Sequence, residues 1–590
     1  MATVTAPPTA QGEGTFVPYE RPPQSASVPP STPPARVSRV GRFEALVVFL
    51  LFTGAYAALG YQVMIVQHVV VFDALDRLAR AYLVWHDAPP KLAVIGFDLP
   101  PVGTLALLPV TLVKPVASSL IGLVFSSAVF AGGVIVLLDR LLARCEMPRL
   151  MRYPALLLFG ANPLFAFYAS NGMPEMTYLF FLTATLYALL SWVMTGSTRF
   201  LVLAGTALSI CVLTRYEFII WALPLTLMVG ATLTRWRASR GEIEGTAIVF
   251  AVPACYALGL WSLFNGLIVK KPFGWIGDGV GSLAVNSDQI AHSGGATVHM
   301  VATRLGEILT STAPLAIAVL PLLMLLFFSR REETSLWLAG LVALAVVIVG
   351  ADALLAGKVS VLTLSDGLTI GLVAFIGAAW IYRASNGAGT LVWLIALALL
   401  AATLPLAWQR MQTYPFQNQE QAFVRALNSG EDQEGTSSIG GYHVGIAPEL
   451  RMADFIDRNI ASEHAILTDN AQSYAVILLS GRPGLFFDRV QRGDAIWRTV
   501  SENPYGRVAY LLIATQAKQD ILRARYPVAA NGADPDFRVL FRTSRYILLR
   551  VPPRPPSLTS TPSLTLPGLT GQPALTAPAA TSAIPGTSGP

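Results

Sequence analysis

The chain has 590 residues, 53% of them hydrophobic and only 13% charged, with a formal net charge of +6. Soluble domains carry about 25% charged residues, so a water-soluble globular class is excluded. The Arg residues are spread over many short loops rather than gathered in one basic patch, which excludes a nucleic-acid partner and reads the positive charge as membrane topology.

Residues 1–40 are rich in Pro, Ser and Thr and hold no apolar core, so a disordered cytoplasmic N-terminal tail is expected. No cleavable leader is expected, because the first apolar run begins near Glu44 and is long enough to span and stay. At roughly 20 apolar residues per crossing, residues 41–410 hold about eleven transmembrane helices. They centre on 44–66, 117–138, 152–170, 174–194, 199–216, 217–234, 246–269, 311–329, 335–354, 363–383 and 389–408. Arg140, Arg144, Arg149, Arg152, Arg199, Arg235, Arg237, Arg240, Arg330, Arg331 and Arg383 fall in alternate loops. The positive-inside rule places these loops in the cytoplasm. The N terminus is then inside, and the long loops 67–116 and 270–310 and the C-terminal part are outside, in a multi-pass plasma-membrane protein. Cys145, Cys211 and Cys255 lie in or beside apolar runs without ligand spacing, so neither disulfides nor zinc are expected.

The loop 67–116 is unusually charged. In "FDALDRLARAYLVW", Leu75, Leu78, Ala79, Tyr82 and Leu83 form the stripe of an amphipathic helix, expected to lie along the membrane surface with its apolar face down. Asp73 and Arg77, and Asp76 and Arg80, are spaced as i,i+4 pairs, and Asp73 is also placed to cap the helix. "GFDLPPVGTLALLPVTLVKP" restarts a second interfacial helix behind Pro100 and Pro101. Further along, Glu175 in "NGMPEMTY" stands at the outer end of a span, where a carboxylate is costly unless it pairs or faces water. A helix N-terminal Glu stabilised by the dipole is the plainer account. Arg215 is next but one to Glu217, which reads as an ion pair; Lys270 and Lys271 read as a span end anchored by snorkelling. Asn171 and Asn265 are polar residues near outer span ends. His68, His86, His292 and His299 have no metal-ligand spacing. "GWIGDGVGS" lacks the spacing of a nucleotide-cradling loop and is at most a flexible gate. After the last span, 411–551 reads as a small extracytoplasmic α/β domain. "PELRMADFIDRNI" is helical in spacing, "HAILTD", "YAVILLSG" and "VAYLLIAT" read as strands, and "FRVLFRTSRYILLRV" reads as a hairpin turning near Thr543 and Ser544. Residues 552–590 are again Pro/Ser/Thr-rich and expected to be disordered.

These segments together resemble the GT-C superfamily of integral membrane glycosyltransferases, which includes protein O-mannosyltransferases, aminoarabinose transferases and actinobacterial cell-wall glycosyltransferases. The carrying residues are the acid in "FDALDRLARAY", the Pro-Pro element in "GFDLPPV", and "NPLFAFYASNGMPEMTYLFF", "LTRYEFIIW" and "LFNGLIVKKPFGW", in that order. The likeness covers 44–310, and the remainder in layout. Two positions depart from family patterns: Ala74, where one subgroup has a second acid after the first, and Asp98, where some members have Lys or His. The resemblance implies a sugar moved from a polyprenyl-phosphate donor to a glycan, lipid or protein acceptor of the cell envelope, with inversion, at the outer face of the membrane. It implies Asp73 as general base, with Asp98 sharing the catalytic task. Substrate binding falls to Asn171, Glu175, Arg215, Lys270 and Lys271, with membrane lipid around them and no metal or cofactor. Two other readings stand beside it. A transporter or flippase of lipid-linked sugars is favoured by Asp366 inside an apolar run, and a non-catalytic membrane scaffold would present the outer domain.

Overall fold

The computed structural model describes residues 41–553, except 88–89, 98–99, 276–295, 358, 386–388, 416–417, 431–444, 489–493 and 518. Asp98, His292, most of "GWIGDGVGS" and both tails therefore lie outside the described residues. The first span, α1 (Arg42–Gly60), runs on as a wider π-helical segment, Tyr61–Val66. The charged loop follows, with α2 (Phe72–His86) and three short helices, α3 (Val102–Leu105), α4 (Leu108–Thr111) and α5 (Lys114–Ser118). The single second interfacial helix expected here is broken into these pieces. Pro109 and Pro115 each start a new turn, since proline lacks the N–H that would continue the preceding one.

The bundle continues through α6 (Ile121–Arg144), α7 (Arg149–Gly160), α8 (Pro163–Ser170), α9 (Glu175–Thr195), α10 (Thr198–Val212), α11 (Phe218–Arg235) and α12 (Arg240–Phe264). Then come α13 (Val298–Thr312), α14 (Pro314–Arg330), α15 (Glu333–Leu355), α16 (Leu364–Ala384) and α17 (Gly389–Thr413). Eight helices are long and apolar enough to cross a membrane, or ten if the bent pairs α7–α8 and α13–α14 each count as one. The bends of 67° and 95° fall at Pro163 and Pro314. The eleventh expected crossing corresponds to α10, which has 15 residues, so length and composition do not establish the count of eleven. The windows of α9 and α16 are 83% and 89% buried and that of α12 only 17%, so α9 and α16 form the centre and α12 faces outward. Gly205 lets α10 meet α12 backbone to backbone: a Cβ there would stand 2.5 Å from the Phe250 carbonyl oxygen.

Beyond α17 lie α18 (Asn418–Ser429), which packs on the bundle, and then α19 (Ala447–Asn459), α20 (Asn470–Leu479) and α21 (Asp494–Glu502) with a five-stranded sheet. Its strands are β1 (Ile466–Thr468), β2 (Phe486–Phe487), β3 (Tyr510–Ala514), β4 (Arg538–Arg542) and β5 (Tyr546–Arg550), in the order β2-β1-β3-β5-β4. The first three pair in parallel, and β5 runs antiparallel to β3 and β4. The expected terminal hairpin is β4–β5. "YAVILLSG", expected as a strand, is the second part of α20. A short unbroken apolar run is ambiguous by period, and here Asp469 caps a helix by accepting from the Ala471 N–H.

This C-terminal region packs on α2. Tyr82 Oη donates to the Gly481 carbonyl at 3.0 Å, Tyr474 Oη to the Phe72 carbonyl at 3.3 Å, and the Ile446 N–H to the His68 carbonyl at 3.2 Å. The helix therefore keeps only part of its polar face open, with Asp73 exposed and Asp76 and Arg80 half-buried. It is covered from both sides, and even Arg77 is buried.

Candidate active site

One end of the bundle collects the N termini of α9 and α16, the turn between α10 and α11, the interfacial helices and the C-terminal region. Asp73 lies in the first turn of α2. It is exposed, and among the described residues its carboxylate accepts no hydrogen bond. Val71 occupies the N-cap position, so Asp73 does not cap the helix. The expected pair with Arg77 does not form either. Arg77 turns toward the second interfacial element, where Nη1 donates to the Pro100 carbonyl at 3.2 Å and Nε is buried without an acceptor. Gly103 is required by this packing, since a Cβ there would lie 2.9 Å from Arg77 Nη1 and 3.1 Å from Pro174. The second expected pair does form: Arg80 Nε meets Asp76 Oδ2 at 2.8 Å. Burial pushes the Asp76 carboxyl above its ordinary range, against the pull of Arg80.

Glu175 opens α9 directly after Pro174, and its Oε2 is buried without a partner. The charges of Arg215, Arg77 and Asp73 all reach it. Arg215 forks onto Glu217, with Nε at 2.8 Å from Oε2 and Nη2 at 3.0 Å from Oε1. The same guanidinium lies 3.8 Å from Asp366 Oδ1 and 4.9 Å above the centre of the Tyr178 ring, whose hydroxyl bonds Thr369 Oγ1 at 2.9 Å. A small open cleft of about 30 Å³ lies beside these groups between α11, α15 and α16, lined by Arg215, Glu217, Trp221, Ile348, Asp366 and Thr369 among others.

The remaining expected residues divide. Asn171 is buried near Glu175. Its Oδ1 accepts from the Met173 N–H at 3.0 Å, and its Nδ2 has no partner. Asn265 is structural, donating to the Trp261 carbonyl at 3.0 Å. Lys270 and Lys271 are exposed past the end of α12, and no contact joins them to Glu175 or Arg215 among the described residues. Three groups escaped the sequence reading. The i,i+4 spacing of Arg77 from Asp73 accounts for it as a surface pair and hides its place in the site. Asp366 was treated as a charge within a span, but it closes a capping box with Thr363 at the start of α16. Thr363 three residues before an acid is the signal that would have placed it at a helix end. Glu420, on α18, is fully buried and accepts from Tyr168 Oη at 2.7 Å. Burial pushes its carboxyl up to about 7, although the Tyr168 hydrogen bond pulls the other way. Among the described residues no three His, Cys, Asp or Glu side chains gather as a metal site would need.

No family model matches the sequence, and no curated protein matches it. Solved structures do. Apo ArnT from Cupriavidus metallidurans superposes with a TM-score of 0.50 at 12% identity, covering 86% of this chain and 98% of that one. The same protein bound to undecaprenyl phosphate gives 0.49 at 14% identity, covering 85% and 97%. The Archaeoglobus fulgidus oligosaccharyltransferase tethered to an acceptor peptide gives 0.42 at 11% identity, covering 80% and 69%. At such identity the likeness is one of fold, and it agrees with the layout read from the sequence: this chain shares the fold of ArnT.

Proposed function

We propose that the chain is an inverting membrane glycosyltransferase that takes its sugar from a polyprenyl phosphate. The observation that carries this reading is Asp73, an unpaired carboxylate at the start of α2, within electrostatic reach of Glu175 at the end of the bundle where Arg215 borders an open cleft. The acceptor hydroxyl attacks the anomeric carbon, its proton passes to Asp73, and the bond from that carbon to the phosphate oxygen breaks. One displacement inverts the centre and needs one base rather than a nucleophile pair. Arg77 and Arg215 are the cations for the phosphate. Arg215 would exchange the oxygens of Glu217 for those of the phosphate, a match its planar fork allows. Glu175 and Asn171, each with an unpartnered polar atom, would hold sugar or acceptor hydroxyls. Asp98 is assigned to share the catalytic task by family position, and the exposed Lys270 and Lys271 to the donor phosphate. ArnT has been seen with undecaprenyl phosphate, which supports a lipid-phosphate donor here.

The Arg-rich loops meet at the far end of the bundle, where Arg383 donates to the Arg144 carbonyl and Arg235 faces Glu333. By the positive-inside rule that end is cytoplasmic, the site is extracytoplasmic, and 411–551 is an outer domain. Asp366, the residue that favoured a transporter, serves as a helix cap and leaves that reading without its main support. The deciding experiment supplies purified protein in lipid with labelled polyprenyl-phosphate sugars and candidate envelope acceptors. Transfer by the wild type, lost in Asp73→Asn, supports the reading. Full transfer by a well-folded Asp73→Asn variant removes Asp73 as base. Passage of lipid-linked sugar across vesicles without transfer replaces the enzyme with a transporter.

A further inference from the structure

We infer that the C-terminal region is a clamp on the first turn of α2, and that Arg545 is the positioning residue that sets where the Asp73 carboxylate stands. The inference rests on the reading of Asp73 as base, but its structural half can be tested apart from it.

Arg545 sits at the turn between β4 and β5, and its backbone carbonyl accepts from the Thr515 N–H at 2.8 Å. Its side chain is 5% exposed and ion-paired with Glu449, which is fully buried at the start of α19. Nη2 also donates to the Gly445 carbonyl at 2.6 Å. The guanidinium so held lies 5.0 Å above the centre of the Phe72 ring. Phe72 is the first residue of α2 and the neighbour of Asp73. Tyr474 Oη bonds the Phe72 carbonyl from the other side, and the charge of Asp73 reaches Tyr474. The first turn of α2 has no side-chain cap of its own, and the C-terminal region holds its first residue instead by the ring and the carbonyl.

A buried ion pair is a poor device for stability, because both charges lose water. It is a good device for fixing one geometry, since Nη2 must meet the Glu449 carboxylate and the Gly445 carbonyl at once while the guanidinium plane covers the Phe72 ring. Here that arrangement locks the residue beside the proposed base. A base must stay within hydrogen-bond reach of the acceptor proton, so a shift of about 1 Å at Phe72 is felt as a lower kcat with substrate binding intact.

The test uses the full chain in lipid and three variants. Arg545→Ala removes the clamp, and Phe72→Leu removes only the ring while leaving the Arg545–Glu449 pair in place. Arg545→Lys keeps a charge but loses the planar guanidinium that covers the ring. Arg545→Ala and Phe72→Leu should each lower kcat about tenfold with KM within about twofold, and the double variant should be no worse than either alone. Arg545→Lys should recover part of the loss. Hydrogen exchange over residues 68–76 should rise in Arg545→Ala and Phe72→Leu. Wild-type kcat and exchange in both single variants, or losses that multiply in the double variant, overturn the clamp even if Asp73→Asn is inactive. Raised exchange in a protein that transfers no sugar keeps the clamp and overturns the enzymatic reading instead.

Discussion

The two ends of the bundle differ in how their charges are paired. At the Arg-rich end, Glu44 accepts from Arg149 Nε and Nη2, from Arg152 Nη2 and from Tyr153 Oη, all at 3.2 Å or less. Arg152 also faces the fully buried Asp139 at 3.0 Å, and Arg144 lies against the rings of Tyr187 and Phe200. At the other end, Asp73 has no hydrogen-bonding partner among the described residues, and Glu175, Arg77 and Asn171 each keep a buried polar atom unmatched. Buried polar groups in native proteins are nearly always satisfied, so a cluster of exceptions calls for a reason. Both ends keep such atoms, since Asp139 Oδ1 and Oδ2 and Arg152 Nε also lack hydrogen bonds, but at the Arg-rich end the two charges face each other at 3.0 Å and tie helices together, whereas among the described residues neither Asp73 nor Glu175 has a cation that close.

The largest effect expected from this contrast is on turnover. Asp73→Asn should lower kcat for sugar transfer by about a hundred- to ten-thousand-fold, the usual worth of a positioned base, with little change in thermal midpoint. At the opposite end the signs reverse. Arg152→Met strands the buried Asp139 and should cost about 3–5 kcal/mol of stability, read as a lowered midpoint in detergent. Turnover per folded molecule should be unchanged. Loss of turnover in Arg152→Met at wild-type stability would break the comparison.

Much of this contrast was legible in the sequence, because membrane burial writes itself as long apolar runs and Arg loops. Each expected span has a helical counterpart, and Asp73, Glu175 and Arg215 meet at one end. What escaped was set by packing. The spacing of Arg77 from Asp73 allows a pair on an isolated helix, but tertiary contact with Pro100 draws the guanidinium away. Glu420 follows the last span in a polar stretch, and nothing local says that Tyr168, 252 positions earlier, will bury it. The apolar run of α20 has no clear period, so its helical state depended on the Asp469 cap.

Glu420 supplies the next test. Its carboxyl is held at about 7 in the folded chain, above the ordinary 4.5. The neutral form is therefore favoured by folding, and this stabilisation is complete below 4.5 and lost as pH rises through about 7. The shift corresponds to about 3 kcal/mol. Glu420→Gln mimics the neutral acid and keeps an acceptor for Tyr168. Its thermal midpoint should match the wild type near pH 4.5 and exceed it increasingly up to pH 8. Parallel pH curves would place the Glu420 charge in water. A smaller effect is expected at Arg215, where Arg215→Lys keeps charge but not the fork. Transfer should fall about ten- to a hundredfold, chiefly through KM for the lipid-phosphate donor.

The smallest effect separates exposed from enclosed cations at the same end. Lys270 and Lys271 are solvent-exposed, and Lys270 has left-handed backbone at φ 64°, past the π-helical end of α12. Exposed charges act through water and are screened within about 8–10 Å at ordinary salt. Lys270→Gln with Lys271→Gln should therefore raise KM for the donor by only about two- to threefold at low salt, and the difference should vanish by about 0.5 M salt. The Arg215→Lys effect should persist there, because that guanidinium is paired within the cleft wall. A loss at Lys270 and Lys271 as large as at Arg215, and as resistant to salt, would place the two lysines on the phosphate itself and shift the site toward the end of α12.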